Sequence, residues 1–309
     1  MKIFVSLASY CDELLLFTIK DCISKASNPQ NIYFGVVDQN EASQKEKLDT
    51  LNLGNQIRYV YVNNLETYGV CWARSIAFSL WDDEEYLLQV DSHTLFEQSW
   101  DSVLIAQHKK LKETSKKPII TTYPYGFEFD ENNNPTFKPQ STKYVLVLRP
   151  KTELEKDDAV LRFHATHQLS ENPVLGCHIA AGFIFTSSDF IQEVPYDPFL
   201  YFHGEEQSLA IRAYTRGWDI YHPNVIPVHH LYKQINADHL THHWHKTVED
   251  KRALGATYLR QRARNKVTRL LYGDGMINTP YGLGSERTMD EYIKFSGIDY
   301  KNRTITNKV

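Results

Sequence analysis

The sequence predicts an α/β fold on a mostly parallel central sheet. Strand-like and helix-like runs alternate through the first 120 residues, the pattern of strands joined by covering helices. One apolar run, Tyr86-Leu87-Leu88-Gln89-Val90, leads directly into Asp91-Ser92-His93. Ligands of open α/β sheets bind at the carboxyl ends of strands, where this triplet falls.

The elements follow in order. Strands are expected at 2–9, 31–38, 57–62 and 85–91. A helix over 12–26 places Leu15, Ile19, Cys22 and Ala26 on one face, and a helix over 71–82 does the same with Ala73, Ile76, Ala77, Leu80 and Trp81. Residues 41–50 are charged and read as a solvated helix. Asp130-Glu131-Asn132-Asn133-Asn134-Pro135 reads as a turn, and the charged stretch 151–158 as a surface segment. Residues 121–178 are therefore expected to be an insertion shaping one side of the site. Beyond it come a buried strand at 178–186, a helix at 204–217, a strand at 219–229 and a long polar helix at 244–271. A catalytic domain over 1–240 with a helical extension over 241–309 accounts for the whole chain.

Composition narrows the function. The 309 residues are 42% hydrophobic and 23% charged, ordinary for a globular protein with a sizeable core. A net charge of −4 gives no general attraction to nucleic acid or anionic membrane. Four cysteines, at 11, 22, 71 and 177, form no CxxC pair and read as thiols in a reducing compartment. No apolar run approaches the roughly 20 residues needed to span a bilayer, and the first residues read as a strand rather than a signal peptide, so a cytoplasmic location is expected. Neither GxGxxG nor GxxxxGK[ST] occurs, which disfavours dinucleotide oxidoreductases and P-loop enzymes.

Five constellations carry candidate chemistry. Asp91 and His93, an oxygen and an imidazole donor two residues apart, suit a divalent metal such as manganese that in turn holds a diphosphate. This points towards nucleotide-sugar transfer, although an acid ending a strand is commonly structural. His203-Gly204-Glu205-Glu206 opens a helix. Two acids there complement the helix dipole, but a carboxylate beside Gly204 can also accept hydrogen bonds from sugar hydroxyls. Val228-His229-His230-Leu231-Tyr232-Lys233 ends a strand, and either histidine can complete a metal site. The later His239, His242, His243 and His245 lack zinc-ligand spacing. Arg74, early in its helix, can pair with phosphate or uracil oxygens. Ser6, Ala8, Ser9 and Tyr10 leave room for a base after the first strand, and Asp38, after the second, can accept from uracil or ribose. Trp100 and Trp218 are candidate sugar-facing aromatics, with core packing favoured for both.

Taken together, Ser6-Leu7-Ala8-Ser9-Tyr10, Gly69-Val70-Cys71-Trp72-Ala73-Arg74, Gln89-Val90-Asp91-Ser92-His93, Ala181-Gly182-Phe183-Ile184-Phe185, Val194-Pro195-Tyr196-Asp197-Pro198, Gly204-Glu205-Glu206 and Tyr281-Gly282-Leu283-Gly284-Ser285-Glu286-Arg287 resemble the GlcNAc-transferases related to the cytoplasmic hydroxyproline-modifying enzymes. The resemblance runs from residue 2 to about residue 300. A more distant likeness is to the polypeptide GalNAc-transferases, with their Asp-Ser-His, Gly-Gly-Glu-Asn and Val-Gly-His segments. Here His203 and Glu206 depart from the second of these, which leaves the donor sugar open.

The resemblance implies a GT-A (Rossmann-like) glycosyltransferase fold, a UDP-sugar donor (UDP-GlcNAc first), a divalent metal (Mn2+, or Mg2+) and retention of anomeric configuration. It implies Asp91, His93 and His230 as metal ligands. Ser6, Ala8, Ser9, Tyr10, Asp38, Arg74, Asp91 and Ser92 fall around the nucleotide, with Glu205 and Glu206 at the donor sugar. The acceptor is expected to be a hydroxyl of a glycan or of a hydroxylated protein. A metal-dependent phosphodiesterase and a catalytically silent sugar-binding module are the alternatives.

Overall fold

The computed structural model describes residues 1–151, 153–232, 242–273, 277 and 279–306. In chain order the strands are β1 Ile3–Tyr10, β2 Ile32–Asn40, β3 Ile57–Asn63, β4 Tyr86–Asp91, β5 Thr94–Phe96, β6 Pro118–Thr121, β7 Tyr125–Phe129, β8 Pro135–Phe137, β9 Tyr144–Pro150, β10 Phe163–Leu169, β11 Val174–Gly176, β12 Phe183–Ser187, β13 Asp219–His222, β14 Val228–His230, β15 Ile298–Asp299 and β16 Thr304–Ile305. The helices are α1 Leu15–Lys25, α2 Lys45–Asp49, α3 Val70–Phe78, α4 Trp100–Leu111, α5 Asp189–Glu193, α6 Glu205–Thr215, α7 Lys246–Glu249, α8 Ala256–Val267 and α9 Met289–Ser296.

Eight strands form the central sheet in the order β11-β13-β6-β12-β4-β1-β2-β3. The β4-β1-β2-β3 half is parallel throughout, as the strand–helix alternation predicts. The other half is mixed, because β12 runs antiparallel between β4 and β6 while β6 and β13 are parallel. Side chains alternate across the sheet with the period of two that a strand imposes. Ile3, Val5 and Leu7 share one core with α1 and α4, whereas Phe4 and Leu87 belong to a second core with α3, α6 and α8 on the opposite face. Trp100 and Trp218 are fully buried in these two cores, so neither faces a sugar.

Several expected elements are shorter or divided, each for a local reason. The strand expected over 219–229 is two strands, β13 and β14. Pro223 and Pro227 lie between them and cannot donate to a ladder. The helix expected over 244–271 is broken between Glu249 and Ala256, where Gly255 caps α8, and α8 then runs into a π-helical turn at 268–272. The expected strand 178–186 begins only at Phe183. Residues 178–182 instead form a turn in which the Phe183 N–H donates to the Ala180 carbonyl at 3.1 Å.

Residues 121–178 contribute to three sheets. Thr121 ends β6 and β11 forms an edge of the central sheet. β7 and β8 join β5 and β14 in a four-stranded sheet, and β9 pairs with β10 in a hairpin. The small sheet matters for the site. β14 pairs with β5 so that His230 lies opposite Thr94, which brings the end of a late strand beside the end of β4.

Candidate active site

The ends of β1 and β4 open on a pocket of about 570 Å³. Ala8 and Asp91 are register partners on these two strands, and both line it. The chain leaves β4 in a tight turn, held by the Thr94 hydroxyl donating to the Asp91 carbonyl at 2.8 Å, so that Ser92 and His93 follow at the same edge. Gly182 covers Asp91 from β12's approach. A Cβ at that position would lie 2.9 Å from Asp91 Oδ2, so only glycine lets the backbone come this close.

Asp91, His93 and His230 each present a ligand atom, all within 4.8 Å of one another, and they are the group of this kind found among the described residues. Asp91 Oδ2 and His230 Nε2 are 3.2 Å apart. Two donors bound at about 2.1 Å and a right angle on one octahedral ion stand about 3 Å apart, so the spacing fits a shared divalent cation. His93 Nδ1 lies 2.6 Å from Asp12 Oδ2. Donation from Nδ1 to that carboxylate leaves the Nε2 lone pair free to bind a metal, the arrangement by which outer carboxylates orient metal-binding histidines. The Ser92 hydroxyl donates to the same Asp12 oxygen at 2.8 Å.

Buried charge surrounds this group. Arg74, 5% exposed, donates through one terminal nitrogen to Asp91 Oδ1 at 2.7 Å and through the other to Glu205 Oε1. Burial alone would raise the Asp91 carboxyl. Its hydrogen bond to His230 and the charges of Arg74, His230 and His93 outweigh burial and hold it far below the usual carboxylate range. Glu205 behaves oppositely: burial, with Glu206 beside it, pushes its carboxyl up despite Arg74. Glu206 accepts from the Ala181 N–H at 2.9 Å and the Tyr123 hydroxyl at 3.0 Å, with His178 Nε2 at 3.6 Å. Burial opposes ionisation of Glu206, but these partners overcome it and the carboxyl lies below its ordinary value. Gly204, at φ +88°, makes the left-handed turn that delivers both glutamates to the first turn of α6.

The C-terminal segment closes one wall. His243 Nδ1 is 2.8 Å from the Tyr201 hydroxyl and its Nε2 is 3.1 Å from the Thr67 carbonyl, so both ring nitrogens are used in hydrogen bonding. Arg252 reaches the Tyr10 hydroxyl and donates to the Asn64 carbonyl at 2.9 Å. Trp244 also faces the pocket, stacked on His242 with ring centroids 4.9 Å apart.

The sequence profile of the glycosyltransferase (GlcNAc) family matches residues 2–53 and 42–302. The chain belongs to this GlcNAc glycosyltransferase family. Among solved structures it is similar to GalNAc-T7 with UDP, GalNAc and Mn2+, at 13% identity and a TM-score of 0.65 over 100% of this chain. It spans 59% of that GalNAc-T7 chain. It is also similar to S. aureus TarS 1-349 in complex with UDP-GlcNAc, at 13% identity and a TM-score of 0.44, covering 88% of this chain and 73% of that one. No curated protein matches it by sequence. The likeness to GalNAc-T7 establishes the GT-A fold.

Within this GlcNAc glycosyltransferase, Ala8, Tyr10, Arg74, Asp91, Ser92, His93, Glu205, Glu206 and His230 all line one pocket. Three expected residues do not. Asp38 is fully buried, and its Oδ2 accepts from the Gln44 N–H at 2.8 Å and the Tyr59 hydroxyl at 2.6 Å. It holds the loop after β2, and Gln39 takes the pocket-lining place instead. Ser6 and Ser9 are fully buried, and neither is on the pocket wall. Arg74 departs from its expected task in another way: its two terminal nitrogens end on carboxylates rather than facing a phosphate. His229 turns away from the cluster, with Nε2 at 2.8 Å from Glu97 Oε1. Lys233 and His239 lie outside the described residues. Sequence reasoning missed Asp12 and Tyr123. Asp12 had one signal, an acid following a strand whose neighbour ends in Asp91.

Proposed function

We propose that this family member is a metal-dependent transferase that moves GlcNAc from UDP-GlcNAc, with retention, to a hydroxyl of a glycan or hydroxylated protein. The observation that carries this reading is the convergence of Asp91, His93 and His230 on a pocket at the strand ends. The UDP and Mn2+ bound to GalNAc-T7, a protein of the same fold, support it. Asp91, His93 and His230 would hold Mn2+ (or Mg2+), which supplies charge neutralisation to a departing diphosphate.

The chain's own residues perform the rest. Asp12 fixes the His93 ring through Nδ1. Arg74 ties Asp91 to Glu205, so that the metal-facing carboxylate and the start of α6 keep one geometry. Ala8, Tyr10 and Ser92 flank the nucleotide. Glu206 is the ionised acceptor available to a donor-sugar hydroxyl, and Glu205 acts beside it from its bond to Arg74. Residues 121–178 shape the acceptor side, since Tyr123, Lys151, the stretch 160–163 and His178 all face the pocket. The segment after 241 closes the opposite wall through His243 and Trp244. No helix among the described residues is long and apolar enough to cross a membrane. The four cysteines are free, three of them buried, which suits a reducing compartment such as the cytoplasm.

The test is hydrolysis of a panel of UDP-sugars in the presence of Mn2+, with free sugar followed by NMR. UDP-GlcNAc should be consumed fastest, the released sugar should appear first as the α-anomer, and EDTA should stop the reaction. Chelator-insensitive turnover, or a preference for another donor sugar, counts against the reading.

A further inference from the structure

The carboxylates of the pocket have their hydrogen-bond partners within the protein. Asp12 is met by Ser92 and His93, Asp91 by Arg74 and His230, Glu205 by Arg74, and Glu206 by Tyr123, Ala181 and His178. The pocket also carries cations with no such partners. Lys151 and Arg162 line it, and neither makes an ion pair with a described residue. A small recess of about 20 Å³ adjoins it through Tyr201, Phe202 and His203, and adds Arg260 and Arg264. Arg264 reaches Asp158 at 3.5 Å, but Arg260 only overlies the Tyr201 and Trp244 rings, 5.9 and 5.4 Å from their centroids. The other acids of the Lys151 segment, Glu153, Glu155 and Asp157, are exposed and stand off the pocket wall. A chain of net charge −4 therefore gathers unpaired positive charge at one rim. Burial lowers the His203 pKa, and Arg162, Arg260 and Arg264 lower it further, as expected where positive potential concentrates.

Resting on the transferase reading above, we propose that the acceptor carries an anionic group, a phosphate or a carboxylate, which Lys151, Arg162 and Arg260 bind at this rim. The metal-side cluster already provides for the donor's diphosphate, and these cations come from the β9–β10 connection and α8 rather than from the β1 and β4 ends. Arginine forks bind phosphate and carboxylate in two-point fashion.

Calorimetric titration of the protein saturated with Mn2+ and UDP tests this, using glucose 6-phosphate, glucuronate and glucose as probes. Lys151→Ala/Arg162→Ala is the variant. The backbone bond from the Lys151 N–H to the Arg162 carbonyl, 2.7 Å, does not depend on either side chain. One or both charged sugars should bind at least tenfold more tightly than glucose. That preference should vanish in the variant, while its UDP affinity changes less than twofold. Glucose binding as well as the charged sugars, or no charged sugar binding at all, overturns the proposal. A loss that falls on UDP instead also overturns it, because the cations would then serve the donor. If the wild type fails to bind UDP, the transferase reading fails separately, and the same titrations without nucleotide still decide whether the rim selects anions.

Discussion

Replacing Arg74 with methionine tests the buried charge network. Methionine keeps an unbranched apolar stem and removes the guanidinium. Asp91 Oδ1 loses a partner at 2.7 Å, and Glu205 Oε1 loses its other bond to the same side chain. Asp91 retains His230 and His93 and stays ionised. Glu205 is 4% exposed, with Glu206 next to it and no remaining cation. Its carboxyl is already raised with Arg74 present, so without Arg74 it takes up a proton in the folded state. An unfolded glutamate ionises near 4.5. Keeping the proton at pH 7 therefore costs about 3.4 kcal/mol, at 1.36 kcal/mol per pH unit. Removing one partner of a buried pair costs about 3–5 kcal/mol by comparison, so we expect a loss of about 3–4 kcal/mol at pH 7. The folded variant then binds a proton that the unfolded chain lacks, so its stability falls as pH rises above 4.5. The deficit relative to wild type should shrink by up to about 1.4 kcal/mol per unit as pH is lowered from 7 towards 5. Urea unfolding of both proteins at pH 5, 6 and 7 in EDTA measures this. A deficit under about 1 kcal/mol, or one as large at pH 5 as at pH 7, refutes the reasoning.

Three further outcomes follow from the same geometry. Asp12→Asn keeps an oxygen for His93 Nδ1 and Ser92 but removes the charge behind them, so Mn2+ affinity should drop about 10–100-fold with the fold intact, as read by calorimetry; an unchanged affinity means His93 is not oriented from Asp12. Gly182→Ala places a Cβ 2.9 Å from Asp91 Oδ2 and should weaken Mn2+ binding about tenfold or more by displacing that carboxylate; wild-type binding would mean that the 181–183 turn yields instead. Gly204→Ala imposes a side chain at φ +88° and brings its Cβ to 2.6 Å from Val267 Cγ2, so thermal unfolding should show a loss of about 1–3 kcal/mol; an unshifted midpoint would show that α6 can be entered another way.

The parallel half of the sheet was legible because its signals are local. Expected strands at 2–9, 31–38, 57–62 and 85–91 meet observed strands at 3–10, 32–40, 57–63 and 86–91. Each is a short run rich in apolar residues; β1, β2 and β4 are buried on both faces, while the edge strand β3 is half-buried and carries Arg58. The helix α4 was not legible, since its buried face mixes Trp100, Leu104 and Leu111 with Asp101 and His108. Asp101 is buried because its carboxylate accepts from the backbone N–H groups of Ser27 and Asn28, a long-range pairing that no local pattern reveals. The insertion of β12 between β4 and β6 is likewise a matter of topology.

At the site, the residues with chemical character at strand and helix ends were visible as candidates, and their bonding was not. Asp38 looked available after β2, but Tyr59 and Gln44, 21 and 6 residues away, occupy its carboxylate. Arg74 looked like a phosphate ligand because a sequence does not show that Asp91 and Glu205, 131 residues away in the latter case, converge on it. The difference between His229 and His230 follows from strand alternation. Successive residues of β14 face opposite sides, one towards Glu97 and the other towards Asp91.

The measurement that bears most directly on the metal centre is calorimetric titration of UDP, with and without Mn2+, into the wild type, His230→Ala and His229→Ala. The wild type and His229→Ala should bind UDP tightly only when Mn2+ is present, and His230→Ala should lose most of that metal-dependent increment. UDP binding that ignores Mn2+ in the wild type, or equal small effects of the two histidine variants, would contradict a cation held by Asp91, His93 and His230.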